Sequence, residues 1–125
     1  MLFDTDVLIW TFRGNSKAAE TIQEELERRI SVVTYMELIQ GAKNKQEART
    51  IRDFLRDYSF ELLDLTANIG HRATIYIEEY SLVSGLRMAD ALVAATAAEN
   101  RTALYTSDYR HYRSLQDIEI IRFKP

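Results

Sequence analysis

Asp4, Glu37, Asp90 and Asp108 are the residues of this sequence best suited by type and position to do chemistry. The stretch LFDTDVLIW is apolar, yet it carries Asp4 and Asp6 with Thr5 between them. Asp90 lies near the start of MADALVAATAAEN, an apolar and alanine-rich run, and Asp108 follows the short apolar segment LYT. A carboxylate taken out of water is costly unless it is paired, hydrogen-bonded or bound to a metal. The set contains only carboxylates, and the chain has no cysteine to supply a thiolate. Hard oxygen donors suit Mg²⁺ or Mn²⁺ better than zinc, and magnesium keeps coordination positions free for phosphate oxygens. The chemistry such a group supports is hydrolysis of a phosphodiester by metal-activated water.

Each residue also has a structural reading. Asp4 could be one half of a buried ion pair, with sixteen Lys and Arg residues available. Asp6 would share the face of Asp4 in a regular strand, about 7 Å away, as a supporting group or a polar cap of the next loop. Thr34-Tyr35-Met36-Glu37 has the form of a capping box, with Thr34 as N-cap and Glu37 three residues on. Asp90 in a first helical turn is favoured by the helix dipole, and Asp108 in TSDYRHY suits a turn. His71 and His111 read as surface groups, and the Tyr and Phe residues at helical spacing read as core.

The elements that must position these residues follow from pattern and punctuation. Leu2 to Trp10 reads as the first strand. Helices are expected over Ser16 to Arg29, with Ser16 as cap, over Thr34 to Lys43, over Gln46 to Tyr58, over Thr66 to Ser81 and over Arg87 to Glu99. Strands are expected at Ile30 to Val33, Ala103 to Thr106 and Ile118 to Phe123, with Phe60 to Leu65 as an edge strand or a strand leading into a helix. Alternating strands and helices imply parallel crossovers and an α/β layered fold, in which sites form beyond the carboxyl ends of the strands. The acidic residues fall at those ends.

Composition sets further bounds. The chain has 125 residues, 46% of them hydrophobic, which suits one domain over residues 1–125 with a real core. No apolar run approaches membrane-spanning length, and MLFDTD lacks signal-peptide architecture, so the expected location is the cytoplasm, away from membranes. The net charge of −3 argues against a standing basic surface for nucleic acid.

The segments LFDTDVLIW, SVVTYMELIQGAK, MADALVAATAAEN and LYTSDYRHYRSLQDIEIIRF, in this order and across essentially the whole chain, resemble those of PIN domains, in particular the VapC-type toxins of VapBC toxin–antitoxin systems. The resemblance implies a three-layer α/β/α domain around a short, mainly parallel sheet. It implies a ribonuclease dependent on Mg²⁺ or Mn²⁺, homodimeric, and neutralised by a small antitoxin protein. Carried across, Asp4, Glu37, Asp90 and Asp108 match the catalytic acids, with Asp4, Asp90 and Asp108 on the metal. Thr106 matches the hydroxyl residue that ends the fourth strand, and Thr5 and Asp6 are expected beside substrate or ligands. The chain departs from the pattern at two places. Asp6 stands where Ser or Asn is commoner, and His111 stands where some relatives carry the fourth acid.

Two alternatives belong to other classes. Asp4-Thr5-Asp6-Val7 is similar to the DxD opening of haloacid-dehalogenase-type phosphatases, although no Lys has the setting that chemistry needs. The same fold with a lost site would be a protein-binding module; the acid set, of which three positions match cleanly, argues against it.

Overall fold

A computed structural model describes all residues, Met1 to Pro125. Five short strands, β1 (Leu2–Phe3), β2 (Arg29–Ser31), β3 (Glu61–Leu63), β4 (Leu104–Thr106) and β5 (Ile120–Arg122), form one sheet in the order β3-β2-β1-β4-β5. Every neighbouring pair is parallel. Parallel pairing demands helical crossovers, and seven helices supply them: α1 (Thr5–Phe12), α2 (Ser16–Glu24), α3 (Val32–Gln40), α4 (Lys45–Asp57), α5 (Ala67–Ser84), α6 (Met88–Glu99) and α7 (Tyr109–Tyr112).

Strand alternation sorts the core into two layers. Leu2 and Leu104 face one side, with Ile69, Ala73, Tyr76, Val93, Ala97 and Tyr112. Phe3 and Tyr105 face the other, with Val7, Leu8, Ile22, Leu38 and Leu55. The α/β/α sandwich expected from the sequence is therefore present. The rings of Phe3 and Tyr105 meet edge to face, centroids 5.7 Å apart. Helix α6 lies deepest: Ala91, Ala94, Ala95 and Ala97 are fully buried, and their small side chains admit close packing.

The chain runs outward from β1 through β2 to β3, then returns to the far side of β1 with β4 and β5. Direction reverses between β1 and β4, which makes their carboxyl ends the topological switch point where sites form in open α/β sheets.

Several expected boundaries are corrected. The first strand ends at Phe3, and residues 5–12 are helix. Asp4 caps that helix through its side chain, which accepts from the Thr5 N–H, and Asp6 lies in its first turn. Both are helix-start signals, whereas the apolar run that follows fits strand and helix equally by periodicity. Helix α2 stops at Glu24, five residues early, and its cap is Asn15 instead of Ser16. The Arg28 guanidinium donates to the carbonyls of Ile22 and Gln23, closing that end. Helix α5 runs three residues past Ser81 to Ser84, and the φ of +72° at the following Gly85 provides the left-handed stop that glycine favours. The one-turn helix α7 was not expected at all. The edge position of β3 and the strands before Thr106 and around Ile120 are as read from the sequence.

Candidate active site

The switch point gathers Asp4, Asp6, Asp90 and Asp108. Asp4 sits directly after β1 and is 7% exposed. Its Oδ1 accepts from the Thr5 N–H at 2.8 Å, and its Oδ2 accepts from the Thr106 hydroxyl at 2.8 Å. That hydroxyl in turn accepts from the Asp108 N–H at 3.0 Å, so Thr106 ties the ends of β1 and β4 together. No Lys or Arg reaches Asp4, which removes the ion-pair reading. Burial, followed by the neighbouring charge of Asp6, pushes the Asp4 carboxyl up from 3.8 to about 7, against its two hydrogen bonds.

Asp6 projects from the first turn of α1, not from a strand. Its Oδ2 accepts from both the backbone N–H and the hydroxyl of Ser107, and its Oδ1 is buried without a partner. Burial raises its pKa despite the Ser107 hydrogen bonds. Asp90 combines two of its readings: Oδ2 accepts from the Arg87 N–H at 3.1 Å, capping α6, while the group stands among the acids. Burial raises its pKa, the Asp108 charge adds to this, and the Arg87 hydrogen bond opposes it. Asp108 caps α7 and lies 2.6 Å from the Nδ1 atom of His111.

Glu37 has a different position. The expected capping box is absent: Ser31 caps α3 through a hydrogen bond from Val33 N–H, and Thr34 is a buried residue within the helix. Glu37 is exposed and accepts from the Thr5 hydroxyl at 2.7 Å, which also lies 3.0 Å from the Thr34 hydroxyl. Glu37 thus joins the other acids through Thr5. Glu37→Gln retains an acceptor for that hydroxyl, so folded stability should stay within about 0.5 kcal/mol. If the charge serves catalysis, cleavage by the variant falls at least about tenfold. Parallel melting curves and cleavage rates check this, and unchanged cleavage removes Glu37 from the site.

Ser107 and Tyr112 were missed by the reading of the sequence, and His111 was noted only as a surface group at the place where some relatives carry the fourth acid. Ser107 holds Asp6, as described. Tyr112 is fully buried, with its hydroxyl 3.4 Å from Asp90 Oδ1. Burial, then the charges of Asp4 and Asp90, push its pKa well up, so it remains a neutral donor. His111, read as a surface group, is half-buried and faces the acids, because a helical turn brings residues 108 and 111 together. His71 is exposed, as expected.

Ligating atoms of Asp90, Asp108 and His111 lie within 4.8 Å of one another. Asp4 stands outside this trio, with both oxygens hydrogen-bonded. Crowded carboxylates whose burial resists ionisation, an unpartnered Asp6 oxygen and the absence of a basic partner all fit a divalent cation. No helix is long and apolar enough to cross a membrane.

Comparison with known proteins agrees with this fold. Among solved structures, a toxin–antitoxin complex from Klebsiella pneumoniae matches with 27% identity and a TM-score of 0.80, over 96% of this chain and 94% of that one. VapBC-1 from nontypeable Haemophilus influenzae, at 21% identity and TM-score 0.81, covers 97% of this chain and 96% of its own. DNA-bound VapBC from Salmonella typhimurium, at 22% and 0.76, covers 97% and 96%. The last two likenesses concern the fold alone. No curated protein gives a significant match. The family model described as PIN domain matches residues 1–114. With its carboxylates gathered at the β1/β4 switch point, the chain belongs to the PIN domain family.

Proposed function

We propose that this chain is the VapC-type toxin of a toxin–antitoxin pair, an endoribonuclease of the cytoplasm that depends on Mg²⁺ or Mn²⁺. The observation that carries the reading is the group of Asp4, Asp6 and Asp90 at one sheet rim, buried enough to raise all three pKa values and without a Lys or Arg partner. Asp90 and Asp108 would hold the ion, with Asp4 beside them. When bound, the ion supplies positive charge for a phosphodiester and lowers the pKa of a water. The protein's own groups do the positioning. Thr106 and the Thr5 N–H fix the Asp4 carboxylate, Ser107 fixes Asp6, and neutral Tyr112 presents a hydroxyl to Asp90. Glu37 and Thr5 flank the approach of the RNA strand. Mapping new RNA ends after induction in cells tests the activity: wild type should create ends at defined positions, and an Asp4→Asn control should not. Identical end profiles would end the proposal.

The partner would be a cognate antitoxin, and the toxin itself a homodimer. A groove of about 610 Å³ between α1, α3 and α4 lies beside Glu37, lined by Ile9, Phe12, Leu38 and Ala42 among others. An apolar partner segment in this groove can extend an Arg toward the acids, since a guanidinium binds carboxylates in a bidentate manner. Inhibitor and metal should then compete. In a binding titration, partner affinity falls as Mn²⁺ rises; constant affinity, with cleavage continuing in the complex, would refute this inhibition.

A further inference from the structure

The donor set at the rim is not purely oxygen. His111 sits on α7, one turn after Asp108, and its Nδ1 is 2.6 Å from Asp108 Oδ2. The opposite edge of the ring, Cδ2 and Nε2, lies against Gly85, 3.5 and 3.7 Å from where a Cβ would stand. The backbone that carries the ring is also tied down, its carbonyl accepting from the Ser84 hydroxyl at 3.3 Å. The imidazole is thus placed with Nδ1 turned toward Asp108, and a ring nitrogen shares a 4.8 Å neighbourhood with carboxylate oxygens of Asp90 and Asp108.

We infer that His111 is a metal ligand through Nδ1, and that this nitrogen makes the site prefer Mn²⁺ to Mg²⁺. The inference rests on the metal-dependent reading above and concerns which ion the site selects. Magnesium is a hard ion that favours oxygen and releases its waters reluctantly. Manganese accepts the same carboxylates and tolerates a nitrogen donor better, while imidazole raises affinity for transition metals generally. A site of two carboxylates and one imidazole therefore separates the two ions where an all-carboxylate site would not.

The competing role for His111 is to orient Asp108 by hydrogen bonding alone. Electron spin-echo spectroscopy of Mn²⁺ bound to the tag-free protein distinguishes the two without relying on activity. A directly bound imidazole nitrogen gives a characteristic ¹⁴N modulation. The other histidine, His71, lines a separate groove with Arg72 and Tyr76 and cannot supply it. His111→Asn places an amide near the Nδ1 position, so it keeps a donor for Asp108 while providing a poor ligand. The expected result is ¹⁴N modulation in wild type and none in His111→Asn. Mn²⁺ affinity should weaken about tenfold in the variant, while Mg²⁺ affinity, read by competition, changes less than about twofold. Mn²⁺ bound by wild type without the modulation would overturn the role of His111 and leave the metal-dependent reading intact. Failure of wild type to bind Mn²⁺ at all would overturn both.

Discussion

Asp4→Asn should abolish RNA cleavage, a loss of at least about a thousandfold, and yet give a more stable protein when no metal is present. The two effects have one origin. The Asp4 carboxylate is buried, faces Asp6 and has no basic partner. Its pKa of about 7 against an ordinary 3.8 means that holding its charge above neutrality costs up to about 4 kcal/mol. Asparagine has nearly the same shape and no charge to hold. It loses one acceptor, because the Thr5 N–H and the Thr106 hydroxyl both donate to Asp4 at 2.8 Å, and a mismatched hydrogen bond costs about 1–2 kcal/mol. The balance favours the variant by about 1–3 kcal/mol at pH 8. At pH 5 the wild-type carboxyl is protonated in the fold and the advantage disappears. Urea unfolding in EDTA at both pH values, alongside cleavage assays with added metal, measures both halves. A variant less stable than wild type at pH 8 would mean that Asp4 serves the fold and not the reaction.

The anomaly that marks Asp4 is legible in the sequence because burial of an unpaired carboxylate is costly wherever it occurs. Which element holds it is not legible in the same way. Residues 5–12 are apolar on nearly every side, so neither a two-residue nor a helical period stands out, and only Asp4 and Asp6 signal a helix start. Glu37 shows the reverse case. Thr34-Tyr35-Met36-Glu37 satisfies a capping pattern, but Ser31 begins the helix one turn earlier and releases Glu37 toward Thr5. Local patterns choose among cap positions only once the preceding strand's end is known.

His111, Tyr112 and Ser107 could not be found by composition or by a strand-and-helix pass. Their roles depend on a four-residue helix too short to leave a period, and on a contact from α1 to the end of β4 across about a hundred residues of chain. Tyr112 in particular reads as core, and it is core; only the fold reveals that its hydroxyl end meets the acids. The strand order is the step that carries most. Once β4 is known to lie beside β1, Asp4, Thr106 and Asp108 must meet, whatever their separation in sequence.

Removing the metal should stop cleavage completely and reverse the usual dependence of stability on pH. Activity in excess EDTA should fall to background and return with Mn²⁺, since no Cys or Ser–His pair at the rim offers another nucleophile. The stability effect follows from the direction of three shifts. Asp4, Asp6 and Asp90 all have raised pKa values in the folded chain. A raised carboxyl pKa means that the folded state holds protons the unfolded state has already released. Its contribution is fully present below the unfolded value, near 4, and is lost as pH rises through the folded value, about 7 for Asp4. The metal-free protein should therefore become less stable between about pH 4 and pH 8, by roughly 2–4 kcal/mol, where most proteins gain stability or hold level. Saturating Mn²⁺ gives the carboxylates a cation in place of protons, so it should raise the melting temperature most at pH 8 and least at pH 5. Melting curves across that range, with EDTA and with Mn²⁺, decide the matter. A metal-free protein whose stability climbs steadily from pH 5 to pH 8 would show that these carboxylates are already satisfied within the fold.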